Sequence, residues 1–136
     1  MGQQQLILII LGVIVLGIAV AVGITMFTDN AISSNRDAVT SDLMQLATHA
    51  QRHYRRPAAM GGGDGAFDNS RGGTALSAIT QLTSKPSNSN GRYVILNVAA
   101  NTLTLRGIGL ELVNSTDSVE VRMRITADST IPTVIH

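Results

Sequence analysis

An α+β fold, a long N-terminal helix packed on a small C-terminal antiparallel sheet, is predicted by three features of this sequence. Residues 6–27 form an apolar run with no charge, amide or proline. Residues 29–56 continue it with apolar side chains at helical spacing. After residue 91, short β-rich stretches alternate and are joined by connections short enough for hairpins.

The apolar run comes first. At about 1.5 Å per residue it is about 33 Å long, enough to cross the ~30 Å hydrocarbon layer of a bilayer. Gln3, Gln4 and Gln5 precede it without a basic residue, so it does not read as a cleaved secretory signal. Gly12, Gly17, Ala19, Ala21 and Gly23 are small, and the pairs Gly17/Ala21 and Ala19/Gly23 let apolar helices approach closely. Glycine costs a helix in water about 1 kcal/mol, so the zone from Gly12 to Gly23 is where a rod would unwind most readily.

From residue 29 the pattern becomes one-sided. Ile32, Val39, Leu43, Leu46, Ala50 and Tyr54 recur on one helical face, and no proline intervenes before Pro57. Asp29, Asp37 and Asp42 precede Arg52, Arg55 and Arg56, the order that a helix dipole favours. One helix is therefore expected from Gln3 to Arg56. Glycine-rich residues 58–73 read as a flexible loop, residues 74–83 as a short helix capped by Thr74, and residues 84–91 as a second loop. Strands are expected at 92–99, 102–110 and 119–126, and a fourth at 131–136, on an edge because Pro132 cannot donate to a ladder. The expected meander has one apolar face and one wet face. The chain thus divides into an apolar helix (1–28), its amphipathic continuation (29–56) and a globular domain (57–136).

Composition excludes several chemistries. Ten Lys and Arg stand against nine Asp and Glu, a net charge of +1, so no overall basic excess points to nucleic acid. Without cysteine there is no disulfide, thiolate metal site or cysteine nucleophile. His49 and His53 are four apart on a helix, but an arginine rather than the glutamate of HExxH lies between them, so they read as polar surface residues. Gly61, Gly63 and Ala66 match a dinucleotide loop in spacing yet follow a helix instead of a strand. Asp64, Asp68 and Asn69 offer oxygens to calcium, at a spacing that does not fit an EF-hand loop. Asn114-Ser115-Thr116 is a sequon that also suits a turn. No catalytic, cofactor or metal site is expected, and the chain does not read as an enzyme. Arg52, Arg55 and Arg56, with His53 and Tyr54, are expected to meet Asp29, Asp37 or Asp42 of a neighbouring subunit in preference to nucleic acid.

The apolar N-terminus, its amphipathic extension to Arg56 and the C-terminal strands together resemble the type IV pilins and the related pseudopilins of type II secretion. If Met1 is the mature N-terminus, Gln5 stands where family members carry a glutamate. The resemblance implies a pilin-like fold and a structural subunit. It would wait in the inner membrane, be extracted by pilus assembly machinery, and polymerise with copies of itself into an extracellular filament on the cell surface. Its partners would be itself, the membrane before assembly and that machinery. Two alternatives are a minor, tip-located pseudopilin and a single-pass anchored binding domain that does not polymerise.

Overall fold

The computed structural model describes residues 2–136, and its first element is one α-helix, α1, Gly2–Arg55. Its 54 residues correspond to a rod about 80 Å long. The helix is continuous through Gly12, Gly17 and Gly23, so the glycines do not unwind it.

Four strands follow in a meander: β1 (Gly91–Ala99), β2 (Thr102–Leu112), β3 (Ser118–Ile125) and β4 (Thr130–Val134), all antiparallel and in sequence order. The fold is therefore α+β, as expected from the sequence. The β1–β2 turn is tight, with Ala99 opposite Thr102, and the register slips once in β1 between Ile95 and Asn97, around Leu96. A second irregularity falls between Ile108 and Leu112. Pro132 lies in β4, the edge strand, where a missing N–H breaks no interior ladder.

The core lies between the second half of α1 and the inner face of the sheet. Val39, Leu43, Leu46, Ala47 and Ala50 are buried against Leu103, Leu105, Val119, Val121, Met123 and Ile125, with Ile32 and Tyr54 packed at the margins. Glycine lets the two layers approach. A Cβ on Gly107 would stand 2.5 Å from Val39 Cγ1 and 3.1 Å from Leu43 Cδ1, closer than carbon atoms pack. Helix and sheet lie lengthwise. Asn35 bonds Asn90 O at one end, and Gln51 bonds Thr126 O at the other.

Two expectations for the middle of the chain are corrected. Residues 74–83 do not form a helix; only the 3-10 turn Ile79–Gln81 is helical. The carbonyls that would open an α-helix are already engaged, Thr74 O with His53 Nε2 (2.6 Å) and Ala75 O with Gln81 Nε2 (3.1 Å). The segment is instead drawn out along the core, with Leu76 N donating to Phe67 O and with Leu76 and Leu82 buried. The glycine-rich stretch is not a free loop. It folds back over the end of α1, where Gly63 N, Gly65 N and Asp64 N donate to the carbonyls of His53, Tyr54 and Arg56. These are carbonyls that a helix end leaves without partners. Gly65 does this at φ +81, a conformation that side chains resist.

Candidate functional site

The largest unpartnered surface is the front half of α1. Every large hydrophobic side chain from Leu6 to Phe27 is between 52% and 79% exposed, and none touches the sheet domain. This helix is long and apolar enough to cross a membrane. A Cβ built on Gly12, Gly17 or Gly23 meets nothing within 4 Å, so no contact inside the chain calls for glycine at these positions. At about 100° per residue, Gly12, Ala19 and Gly23 fall on one face within about 40° of arc, and Gly17 and Ala21 lie on the opposite face. The small residues therefore open two faces to close approach. Gln5 lies on the exposed first turns of the same helix.

The predicted charge contacts separate into used and unused groups. Asp42 is used inside its own chain. Its Oδ2 accepts from Tyr93 Oη (2.5 Å), Asn88 Nδ2 (2.8 Å) and Asn90 Nδ2 (2.9 Å), which ties the helix to β1 and the loop before it. Burial pulls the carboxyl's pKa upward, but the three hydrogen bonds outweigh it and hold the group below its ordinary value. Burial, and then the bond to Asp42, push the Tyr93 phenol well above its usual range. The exposed Arg55 turns to the exposed Asp128 (3.5 Å) and to Ala127 O (3.2 Å). Asp29, Asp37, Arg52 and Arg56 form no ion pair among the described residues.

A second charged site was not anticipated. Glu120 lies on the outer face of β3 yet is only 7% exposed, and its two oxygens accept from Arg106 Nη2 (2.6 Å) and Arg122 Nε (2.9 Å). Arg106 and Arg122 sit opposite one another across β2 and β3, so the carboxylate between them cancels a cross-strand repulsion. Burial again raises the carboxyl's pKa, and the two guanidinium bonds more than reverse it. The outer face is thus not uniformly wet. Alternation placed Glu120, Arg122 and Arg124 on one face, but only the register with β2 brings Arg106 to them.

The remaining candidates are local. His53 is half-buried and bonded to Thr74 O, which corrects the reading of two exposed histidines; His49 is exposed. Asp68 Oδ1 accepts from Ser70 N (3.0 Å), and bonding to Ser70 keeps its pKa low. No group of three or more His, Asp or Glu side chains suited to a metal occurs among the described residues. Asn114 forms the turn at the β2–β3 tip, its Oδ1 accepting from the backbone of Thr116 and Asp117. No protein-family model, curated protein or solved structure matches this chain.

Proposed function

We propose that this chain is the structural subunit of a type IV pilus-like filament, polymerising through residues 6–27 of α1. The observation that carries the reading is an apolar half-rod, bare on all sides, whose glycines are required by nothing in its own chain. Lipid covers such a surface but does not need glycine, which costs helix stability. Packing among copies of the same helix uses both properties, because small residues let backbones approach and no polar group is stranded on leaving the bilayer. Small residues on two opposite faces suit a helix with neighbours on both sides, as an open polymer requires. In this reading the subunit resides in the inner membrane before assembly machinery moves it to the cell surface. The sheet domains then form the outside of the filament, and the unpaired Asp29 and Asp37 face basic groups of adjacent copies.

Ala21→Leu separates this reading from a simple anchor. It keeps the segment hydrophobic and adds bulk at a close-approach position, with an overpacking cost of about 1–3 kcal/mol at each repeated contact. The expected outcome is normal membrane insertion with filaments reduced or absent, measured as membrane-bound against sheared extracellular protein. Unchanged filaments would remove Ala21 from the interface. No sheared extracellular material from the unsubstituted protein would defeat the filament reading and leave an anchored domain.

A further inference from the structure

A cavity of about 180 Å³ lies beside the last turns of α1, lined by His49, Arg52 and His53 from the helix, by Arg56 just past its end, and by Gln81 and Leu82 from the facing segment. These four residues are spaced i, i+3, i+4 and i+7, one continuous face that the bond from Arg56 N to Arg52 O carries past the helix end, and all four are basic types. No carboxylate lines the cavity. The acidic group in the adjoining cavity, which shares His49, is Asp42, whose Oδ2 already accepts from Tyr93, Asn88 and Asn90.

The usual reason for cations at a helix C-terminus is the negative end of the dipole. Here the carbonyls of His53, Tyr54 and Arg56 are capped by N–H groups of the glycine-rich segment. Arg55, also in the last turn, turns outward to Asp128. Arg52 and Arg56 have no ion-pair partner among the described residues and share one concave wall. Two guanidinium groups four residues apart form a forked donor set that matches an oxyanion with several oxygens, and a single carboxylate would leave much of that charge unbalanced.

We propose that this cavity is a binding site for a phosphate group. Gln81 is engaged with Ala75 O and Ala78 N and so shapes the wall, while Arg52 and Arg56 hold the anion with His49 beside them. The source is a free or chain-terminal phosphate on the aqueous side. The helix from Phe27 to Arg52 is about 37 Å long, which keeps the headgroups of the bilayer holding residues 6–27 out of reach. The site does not depend on the filament reading, since every residue in it belongs to one chain.

The test is calorimetry on the full chain in neutral detergent micelles, with pyrophosphate, inorganic phosphate and acetate as the probes. Saturable binding of one pyrophosphate per chain is expected, with inorganic phosphate weaker and acetate weakest. Arg52→Ala/Arg56→Ala should raise the Kd for pyrophosphate at least about tenfold. Arg55→Ala/Arg124→Ala removes the same charge from other surfaces and should change it by less than about twofold. Arg52→Gln/Arg56→Gln keeps the aliphatic stems and should repeat the loss, and unchanged hydrogen-exchange protection in β1 to β3 verifies the fold. No saturable binding, acetate binding as tightly as pyrophosphate, or equal losses in the two alanine pairs would each overturn the site.

Discussion

Tyr93→Phe deletes one oxygen at the junction of helix and sheet and leaves a buried ring, 2% exposed, in place. That oxygen donates to Asp42 Oδ2 at 2.5 Å, and a hydrogen bond to a charged acceptor contributes about 1.5–3 kcal/mol. The expected loss of stability is of that size, because Asp42 keeps its bonds from Asn88 and Asn90. Asp42→Ala should cost at least as much, since it removes the acceptor from three donors and strands the phenol. The double variant strands neither partner, so its cost should fall short of the sum by about the worth of the bond. The assay is hydrogen exchange of the slowest β1 and β2 amides in the full chain in micelles, whose protection reports the free energy of opening. Asp42 has its pKa held below the ordinary aspartate value of 3.8, so its contribution is present above pH 3.8 and is lost as pH falls through the folded value. Tyr93 is shifted the other way, so its contribution is complete below pH 10 and is lost as pH rises through its folded value. Single costs that add within about 0.5 kcal/mol at neutral pH would refute the coupling.

Three further outcomes are expected. Gly109→Ala puts a methyl against Asn35 Oδ1 and 2.9 Å from Val119 Cβ, so it should lower stability by about 1–3 kcal/mol, read as a fall in Tm. Glu120→Gln leaves Arg106 and Arg122 opposed across the sheet; with both arginines partly solvated, the loss should lie between the ~1 kcal/mol of an exposed pair and the 3–5 kcal/mol of a buried one. Because the Glu120 pKa is held below the ordinary glutamate value of 4.5, that difference should shrink as the pH falls below 4.5 in matched thermal melts. Residues 29–136, cut free of the bare apolar segment, should sediment as a soluble, folded monomer; aggregation under all mild conditions would show that the sheet domain needs the rest of the rod.

Much of this architecture is legible from local pattern, and the failures share a cause. The helical face of Val39, Leu43, Leu46 and Ala50 and the alternation of Val119, Val121, Met123 and Ile125 each announce their burial within a few residues. Ala47 is fully buried on the same helix, at the i+4 position from Leu43, and belongs to the same face. Asp42 sits at a polar position and receives donors 46 to 51 residues later in the chain, which no local rule links to it. Glu120 needs a partner across the ladder, and the segment 74–83 has its helical spacing overridden by bonds from His53 and Gln81. The Arg52 and Arg56 wall shows the same limit, because their spacing is plain in the sequence but the cavity exists only where Gln81 and Leu82 face them.

The order of the elements bears on how the molecule reaches this state. Strand pairing joins neighbours in sequence, whereas the bonds that seat the helix span 55 residues from Asn35 to Asn90 and 75 from Gln51 to Thr126. Closing a loop of about seventy residues instead of about ten costs about 1.7 kcal/mol more in chain entropy. Hairpins should therefore form ahead of helix docking, leaving the inner row of Leu103, Leu105, Val121, Met123 and Ile125 uncovered for an interval. Where residues 6–27 already sit in a bilayer, that interval is spent tethered at the surface with the lower helix hanging beside its own sheet. The lower helix is already joined to its own sheet by the chain, which sets their effective concentration, so the bilayer fixes only where the uncovered row waits, at a surface that also holds other copies.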